Sequence, residues 1–292
     1  MPELPEVETI RRVLERKLAG RRVLSAEVRR PRTAGSRLTR ELAGHKTDLA
    51  GRLQGRRVKA VRRRAKYLVI ELDQGALLVH LGMTGQFFAA KDGQQPASGL
   101  PPLPDKHTHL IIDFTGSWHL YFRDIRKFGS LRWLRDREEE RAAFAGLGPE
   151  PLDPAFTPEE LSHSLHGKKA PVKALLLNQK VIAGVGNIYA DEALFRARLA
   201  PQVPAGSLAP PQIRRLHAAL REVLAEAIRF RGTTMSDYFD PESRRGGFQD
   251  RLRVYGREGG PCPACGRPVA KGVVAQRGTH WCPQCQKRGS TR

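Results

Sequence analysis

The sequence contains few acidic residues for its number of basic ones, and it lacks any long apolar run. Lys and Arg number 51 against 30 Asp and Glu, so the formal net charge of the 292 residues is +21. No stretch of about 18 apolar residues is present, and no charged and apolar leader precedes the first predicted helix, so we expect a cytosolic protein without a membrane partner. Clustered basic residues favour nucleic acid as the partner. A basic surface exposed only to solvent is the alternative.

Cysteine is also scarce, and all four cysteines lie within the last 31 residues. Cys262 and Cys265 form one C-x2-C pair, Cys282 and Cys285 form another, and 16 residues separate the pairs. This spacing is typical of a zinc ribbon, in which four thiolates surround one Zn²⁺ ion. Two disulfides are the alternative, which the lack of a secretory leader disfavours. Four protein ligands leave no open position on the metal, so we expect a structural zinc ion.

The first 145 residues show no internal repeat of long period and predict short strands instead. These strands are broken by glycine-containing turns, and they cover residues 22–28, 67–72, 76–81, 109–114 and 130–134. Such a pattern is typical of a β-sandwich or barrel. A helix precedes the strands, because apolar residues recur at helical spacing from Val7 to Leu18, with Pro5 in the first turn and Gly20 at the end.

Residues 146–154, GLGPEPLDP, have the composition of a linker, and helical periodicity follows them. Thr157 and Pro158 form a cap and first-turn pair. The predicted fold is therefore multidomain α+β. A β-sandwich domain with a leading helix covers 1–145, a helical domain covers 146–245, and a zinc-ribbon β-hairpin covers 246–292. The polar and proline-rich segment 91–105 predicts a surface loop.

The chain begins with MPELPEVE, which places three acids around the start of the predicted helix. Glu6 and Glu8 suit the positive end of the helix dipole, but Pro2 and Glu3 precede the helix and need another explanation. Removal of Met1, which is expected before a small residue, would expose the secondary amine of Pro2. Such an amine is a nucleophile that forms an iminium ion with an aldehyde. From composition alone, an ordinary frayed terminus is the alternative.

Six motifs occur in a characteristic order: MPELPEVE at 1–8, RRAKYL at 63–68, HLGMTG at 80–85, DIRKFG at 124–129, GVGNIYADE at 184–192 and the four-cysteine ribbon. Together they resemble the bacterial formamidopyrimidine-DNA glycosylase family. The resemblance implies a bifunctional DNA glycosylase and AP lyase of base excision repair, which excises oxidised purines such as 8-oxoguanine and formamidopyrimidines and then cleaves the strand by β- and δ-elimination. It implies a helix-two-turn-helix middle domain. We expect a monomer that acts on double-stranded DNA with oxidised bases or abasic sites, in the bacterial cytoplasm at the nucleoid.

The resemblance assigns catalytic roles to residues of these motifs. Pro2 matches the nucleophile that attacks the sugar C1′, and Glu3 matches the adjacent acid that moves protons. Lys66 matches a lysine that acts as an acid toward the base or the opened sugar, with a phosphate contact or a solvated strand edge as the alternatives. Arg277 matches an arginine on the phosphates beside the lesion, with a part in δ-elimination. Glu6 has a supporting role, for which the helix dipole is the alternative.

The resemblance also assigns contacts with DNA. A base inside a duplex has to be turned out before an enzyme can act on it, and the gap has to be filled. Met83, Arg126 and Phe128 match three wedge residues, with core positions as the alternative for the Met and the Phe. The implied phosphate contacts are His109, Lys169, Lys173 and Asn187. For His109 a buried structural histidine is the alternative. The loop that reads the lesion would lie at about 236–250.

Some features depart from the family pattern or fit a different protein. Ile125 and Lys127 stand where proline and arginine are also common, and the segments 30–60 and 89–106 are longer than usual. Endonuclease VIII, which prefers oxidised pyrimidines, resembles this chain in the same terminus and ribbon, although Leu4 and the DIRKFG motif favour the purine enzyme. A catalytically inactive zinc-ribbon protein that only binds DNA is the second alternative.

Overall fold

The computed structural model describes residues 2–29, 49–94, 101–235 and 238–287. The chain divides into two compact units, Met1–Ala145 with Phe230–Gly247, and Gly146–Arg229 with Phe248–Arg292. The sequence predicts three regions, whereas the structure divides into two units, and the division into three stays a prediction. Parts of the predicted surface loop, of the predicted lesion-reading loop and of the long segment after residue 29 lie outside the described residues. Within the described ranges, no helix is long and apolar enough to cross a membrane.

The first unit begins with the predicted leading helix, α1, at Leu4–Leu18. Its apolar side chains are buried, as the helical spacing predicts, and they are Val7, Ile10, Val13, Leu14 and Leu18. Pro5 lies in the first turn, where an N–H group has no intrahelical acceptor. After α1 the chain turns at Gly20, whose φ of 80° lies in the left-handed region that glycine adopts readily.

Two four-stranded antiparallel sheets make up most of the first unit, with strand orders β1-β6-β7-β5 and β2-β3-β4-β8. The strands are β1 Val23–Val28, β2 Val58–Arg64, β3 Tyr67–Leu72, β4 Ala76–His80, β5 Gly85–Lys91, β6 Thr108–Phe114, β7 Trp118–Asp124 and β8 Ser130–Leu134. Two short helices accompany them, α2 at Leu49–Leu53 and α3 at Arg137–Phe144. Short turns join β2 to β3 and β3 to β4 within one sheet, and β6 to β7 within the other. The chain passes from one sheet to the other between β4 and β5 and between β7 and β8.

Side chains from both sheets and from α1 share one hydrophobic core, which confirms the predicted β-sandwich with a leading helix. A second apolar cluster lies on the other face of the β2-β3-β4-β8 sheet, where Phe144 of α3 packs near Val69 and Leu78. Strands β3 and β4 are therefore buried on both faces. This burial explains why the sequences of these two strands are nearly continuous apolar runs.

Strands β2, β5 and β7 were not among the sequence predictions. Strand β2, VKAVRRR, carries several cations, and β5, GQFFAAK, begins with glycine, so their local strand propensity is weak. Tertiary contacts compensate in β2, where the Arg62 guanidinium lies 2.8 Å from a Glu71 oxygen and 2.7 Å from a Glu140 oxygen. Glu71 lies on the neighbouring strand β3 and Glu140 is 78 residues away, so the local pattern of β2 does not reveal either partner.

The second unit contains the predicted helices and the predicted β-hairpin. Its elements are α4 Pro158–Leu165, α5 Val172–Leu177, α6 Asn187–Arg196, α7 Pro210–Arg229, β9 Ala270–Val274 and β10 Arg277–Trp281. Thr157 caps α4, because its side-chain oxygen accepts the backbone N–H of Glu160 at 3.3 Å. Strands β9 and β10 pair in antiparallel fashion. The helical region and the C-terminal hairpin of the predicted α+β fold are thereby confirmed.

Candidate functional site

Pro2, Glu3 and Glu6 lie together at the beginning of α1, and all three residues are buried. Glu3 is the N-cap residue, and a reciprocal capping box joins it to Glu6. In this box the Glu6 carboxylate accepts the backbone N–H of Glu3 at 2.8 Å. The pairing fixes the backbone of the first turn beside Pro2 and satisfies N–H groups that have no acceptor within the helix.

Glu6 also holds a segment that is distant in the sequence. Its Oε1 accepts the backbone N–H of Thr233 at 2.7 Å. Gly232, with a φ of 80°, lies so close that a Cβ atom there would be 2.5 Å from Oε1. The Tyr238 hydroxyl lies 3.4 Å from the carbonyl oxygen of Glu6 and donates to it. Compensation of the helix dipole is therefore only part of what Glu6 does, since its carboxylate also holds the backbone at Gly232 and Thr233.

Lys66 occupies the turn between β2 and β3 and is only 6% exposed. Arg64 and Tyr67 are register partners, so the turn consists of two residues, and Ala65 has a φ of 53°. A left-handed residue in a two-residue turn matches the twist of the flanking strands. Because Lys66 is buried, its position differs from the solvated strand edge that was one alternative for this residue. A buried ammonium group is unfavourable unless it has polar partners.

A group of charged side chains ties this hairpin to α1. The Arg63 Nε donates to Glu8 at 3.1 Å, and another nitrogen of the same guanidinium donates to the Ala65 carbonyl oxygen at 3.1 Å. Arg11 and Arg12 also donate to the Glu8 carboxylate. Burial alone would raise the pKa of Glu8, but the hydrogen bonds from Arg11 and Arg12 lower that pKa overall. The carboxylate is therefore charged at neutral pH and holds the hairpin against the helix.

The three residues that match the family wedge are exposed. Met83 is 42% and Phe128 is 45% exposed, so neither is a core residue of the first unit. The guanidinium carbon of Arg126 lies 4.7 Å from the centroid of the Phe128 ring, which is within the range of a cation–π interaction. Two apolar groups and one multiple hydrogen-bond donor thus project from neighbouring loops, as replacement of a stacked base requires.

Asp124 joins the two loops that carry these side chains. Its carboxylate is fully buried, with Oδ1 accepting the Thr84 hydroxyl at 2.6 Å and Oδ2 accepting the Gly129 N–H at 2.7 Å. The Thr84 oxygen in turn accepts the backbone N–H of Arg126 at 3.0 Å. Thr84 lies in the HLGMTG motif and Asp124 in the DIRKFG motif, but the sequence pattern singles out neither residue. Thr84 lies in the loop before β5 and Asp124 is the last residue of β7, so neither position carries a local sequence signal for their pairing.

His109 is buried, and its Nε2 lies 2.9 Å from the carbonyl oxygen of Asp124. Because a carbonyl oxygen only accepts, Nε2 carries the hydrogen in this pair. Burial lowers the pKa of His109, so its imidazole is neutral at neutral pH. This geometry is that of the buried structural histidine, which was the alternative to a phosphate contact. Because the ring is neutral and buried, His109 supports the residue that joins the two loops.

In the second unit, Asn187, Lys169 and Arg277 have groups near the surface. Asn187 is the first residue of α6, and its side-chain amide donates to the Gly278 carbonyl oxygen at 2.9 Å. Arg277 is exposed at the start of β10, directly after the left-handed residues 275 and 276 that turn the hairpin. Lys169 is exposed in the segment before α5. The structure therefore places Arg277 at the predicted hairpin tip.

Lys173 differs from the predicted phosphate contact because its side chain is fully buried. Its Nζ lies 2.6 Å from Oδ1 of the fully buried Asp191. The same ammonium donates to the Thr279 hydroxyl at 2.7 Å and to the Gly278 carbonyl oxygen at 3.1 Å. An ammonium surrounded by these three acceptors has no surface to offer a phosphate. Its contacts instead support the backbone of β10 next to the hairpin tip.

Two acids of the GVGNIYADE motif organise the second unit, and sequence reasoning assigned neither. Asp191 accepts the backbone N–H of His280 at 2.8 Å, in addition to its ion pair with Lys173. Glu192 is buried and accepts three consecutive backbone N–H groups at 2.9 Å each, from residues 253–255. Both carboxylates thus bind α6 to the chain that forms the ribbon.

The four cysteines form a site for one zinc ion in the second unit. Their Sγ atoms all lie within 4.8 Å of one another, with Cys265 and Cys282 3.4 Å apart and Cys262 and Cys285 3.9 Å apart. Four sulfurs at about 2.3 Å from a central zinc ion would be about 3.8 Å apart, whereas a disulfide requires about 2.0 Å. The predicted structural zinc site is confirmed.

Three family models match successive parts of the chain. The model described as "Formamidopyrimidine-DNA glycosylase N-terminal domain" matches residues 1–131. "Formamidopyrimidine-DNA glycosylase H2TH domain" matches 147–238, and "Zinc finger found in FPG and IleRS" matches 259–288. The matched regions follow the order that the sequence motifs predict.

Individual proteins are similar over nearly the whole chain. A formamidopyrimidine-DNA glycosylase of Thermus thermophilus is 47% identical over 293 residues, which cover 99% of this chain and 100% of that protein. A Lactococcus lactis enzyme, solved with DNA that contains an abasic site, has a TM-score of 0.84 and 33% identity, with 98% of this chain and 99% of that chain covered. A variant of the Lactococcus lactis enzyme, solved with DNA that contains Fapy-dG, has a TM-score of 0.83 and 34% identity, with 98% and 100% covered.

Proposed function

Since this chain belongs to the formamidopyrimidine-DNA glycosylase family and is therefore a DNA glycosylase of base excision repair, we propose that it excises oxidised purines and then cleaves the DNA strand at the abasic site. The observation that carries the proposal is the buried grouping of Pro2, Glu3 and Glu6 at the beginning of α1, beside a hairpin that buries Lys66. An amine, carboxylates and a second amine are the groups that attack on a sugar and subsequent elimination require.

In the proposed reaction, removal of Met1 gives Pro2 a free secondary amine. Attack of this nitrogen on C1′ forms the N–C bond and expels the base, and the amine proton is lost. The C1′–O4′ bond then breaks as O4′ takes up a proton, and the resulting iminium cation draws the electrons of the following eliminations. Glu3, next to the amine, moves protons at the sugar, and Lys66 acts as an acid toward the base or the opened sugar. The positive charge of Lys66 also favours the neutral, nucleophilic form of the amine. Glu6 supports the reaction by fixing the first turn.

The proposed DNA contacts use exposed groups of both units. Met83, Arg126 and Phe128 enter the duplex and replace the extruded nucleotide, and the exposure of Met83 and Phe128 supports that role. Lys169, Asn187 and Arg277 bind phosphates, with Arg277 taking part in δ-elimination. Lys173 and His109 are not proposed as direct contacts, because both side chains are buried and hydrogen-bonded within the protein. The net charge of +21 supports work on chromosomal DNA at the nucleoid.

Oxidised purines are the proposed substrates, and the Lactococcus lactis relative solved with Fapy-dG DNA supports this class. Endonuclease VIII activity on oxidised pyrimidines is the alternative. A comparison of single-turnover rates on duplexes with 8-oxoguanine opposite C and with thymine glycol opposite A separates the two. We expect faster cleavage of the 8-oxoguanine duplex, and faster cleavage of thymine glycol would favour the alternative.

The proposed lyase step has its own test. Denaturing gels should resolve a strand that ends in a 3′-phosphate, which is the product of successive β- and δ-elimination, from the aldehyde-bearing product of β-elimination alone. A preparation that binds damaged duplex but leaves both the base and the strand intact would favour the catalytically inactive DNA-binding alternative. A preparation that releases the base without scission would retain the glycosylase and remove the lyase from the proposal.

A further inference from the structure

We infer that Thr84 and Asp124 are positioning residues for the wedge: they hold the two loops that carry Met83, Arg126 and Phe128 as one rigid body, and this rigidity sets how the wedge enters the duplex. The hydrogen bonds that join Thr84, Asp124, Arg126 and Gly129 are called the Asp124 junction below. The inference rests on the proposed wedge function, but it concerns residues that touch neither the sugar nor the base.

Both loops cross between the two sheets at the same edge of the sandwich. Residues 81–84 lead from β4 in one sheet to β5 in the other, and residues 125–129 lead from β7 back to β8. His80 and Ser130 are register partners at the end of β4, and Gly85 and Asp124 are register partners at the start of β5. The two loops therefore begin and end side by side, because the strands on both sides of the crossing are paired.

The loop backbones are in direct contact. Gly82 has a φ of 62°, and a Cβ atom there would lie 2.4 Å from the carbonyl carbon of Phe128 and 2.6 Å from the nitrogen of Gly129. Backbone atoms cannot move aside as a flexible side chain does, so the separation of the loops is fixed by glycine at this point. Contact of this kind sets a distance but leaves sliding of one loop along the other unrestrained.

The Asp124 junction restrains that sliding. One oxygen of the buried Asp124 carboxylate accepts from Thr84 in the first loop, and the other accepts from Gly129 at the end of the second loop. The Thr84 hydroxyl oxygen also accepts the backbone N–H of Arg126, which gives a third hydrogen bond in the junction. Hydrogen bonds to a charged acceptor in a buried position are stronger than neutral ones. Met83 and Arg126, which flank these bonds in the chain, therefore move together.

The backbone of Asp124 is also held on both sides. Its N–H donates to the carbonyl oxygen of His107 at 2.9 Å, and its own carbonyl oxygen accepts from His109 Nε2. The junction is thus attached to β6 as well as to the two loops. A wedge has to keep its shape while it opposes base stacking, and a preorganised loop pair loses less conformational freedom on insertion than two independent loops. The junction should therefore affect entry into a duplex and leave the chemistry unchanged.

The test uses Thr84→Val, which removes the hydroxyl at nearly constant shape, and Thr84→Ser, which keeps it. The first measurement is the fluorescence of 2-aminopurine placed opposite a tetrahydrofuran abasic analogue, because its emission rises when the base loses stacking to the wedge. The second is the single-turnover cleavage rate of a true abasic site in a duplex and in a single strand. Cleavage of the single strand needs no wedge, so it reports the chemistry separately.

We expect Thr84→Val to lose most of the fluorescence change and to cleave duplex about tenfold more slowly, because it loses both the hydrogen bond donated to Asp124 and the one accepted from the Arg126 N–H. Its single-strand rate should equal that of the unsubstituted protein, and Thr84→Ser should match the unsubstituted protein in all measurements. An unchanged fluorescence response of Thr84→Val, or an equal loss of rate on both substrates, would overturn the inference. An unsubstituted protein that shows the fluorescence change without cleaving either substrate would instead refute the proposed lyase while leaving the junction test intact.

Discussion

Replacement of Lys173 by methionine tests the assignment of this residue as a buried structural cation. Methionine keeps much of the length and apolar volume of the lysine stem but removes the ammonium. In the structure that ammonium lies 2.6 Å from Asp191 Oδ1, and both side chains are fully buried. The substitution therefore leaves a carboxylate in the interior without its cation, and the second unit should lose much of its stability.

The magnitude follows from the burial of the pair. Breaking a buried ion pair by removing one partner costs about 3–5 kcal/mol, because the remaining charge is left uncompensated. A second substitution, Asp191→Asn, removes that charge and keeps an oxygen that can accept the His280 N–H. The double variant should therefore be more stable than Lys173→Met alone, with a coupling energy of about 2 kcal/mol between the two positions.

Urea unfolding with a single fluorescent reporter measures these changes. The chain has three tryptophans, of which Trp281 lies in the second unit on β10, and Trp118 and Trp133 lie in the first. A background with Trp118→Phe and Trp133→Phe leaves Trp281 to report the second unit. Unfolding curves in zinc-containing buffer give the midpoint and the slope m, and only variants with equal m are compared directly.

Lys169→Met is the matched control, because Lys169 is an exposed lysine of the same segment. It should change the free energy of unfolding by less than about 0.5 kcal/mol. It should also reduce the slope of log DNA affinity against log salt concentration by about 0.9, which is the contribution of one phosphate contact. Lys173→Met should leave that slope unchanged. A stability loss below about 1 kcal/mol for Lys173→Met, or a double variant no more stable than the single one, would show that the buried ion pair contributes little to stability.

The other predictions concern the beginning of α1, a histidine of β7 and the zinc site. Glu6→Gln exchanges one carboxylate oxygen for a donor where the N–H groups of Glu3 and Thr233 require acceptors, so urea unfolding followed by Trp118 should show a loss of about 2 kcal/mol. Burial alone would lower the pKa of His119, but hydrogen bonds to Asp92 and Asp113 raise it overall. This stabilisation is complete below the unfolded pKa of about 6.5 and is lost as pH rises through the folded pKa, so His119→Gln should flatten the decline in stability above that pH. Removal of zinc by a strong chelator should unfold the ribbon and weaken DNA binding, with a change in Trp281 but not in Trp118 fluorescence.

Each of these predictions has a contradicting outcome. Glu6→Gln as stable as Glu27→Gln, whose carboxylate is exposed, would show that the two hydrogen bonds contribute little. A folded pKa of His119 at or below about 6.5 in an NMR titration would reverse the predicted direction of the pH effect. Full DNA affinity after chelation, with the metal shown to be absent, would remove zinc from the support of the DNA contacts.

Local sequence pattern was sufficient for α1 and for the zinc site. The apolar spacing of α1 required one buried face, and the structure buries those side chains. The cysteine spacing predicted a four-thiol cluster, and the Sγ atoms lie together. In both cases the determining residues are close in sequence, or their chemistry permits few arrangements.

The contacts that sequence reasoning missed join residues that are far apart in the chain. Thr233 donates to Glu6 across 227 residues, and Lys173 donates to Thr279 across 106 residues. A lysine in a basic segment has the same local pattern whether it faces phosphate or a buried carboxylate, so Lys169 and Lys173 could not be told apart. Thr84 and Asp124 lie within quoted motifs, but their pairing depends on how two loops cross between sheets.

We propose that the amine of Pro2 reacts with the DNA sugar, and the covalent product of this reaction can be located. Incubation with abasic duplex and borohydride, followed by proteolysis and mass spectrometry, locates the covalent attachment directly. We expect a chain that lacks Met1 and carries the reduced sugar on the nitrogen of Pro2. An active preparation that retains Met1, or an adduct located on a lysine side chain, would contradict it.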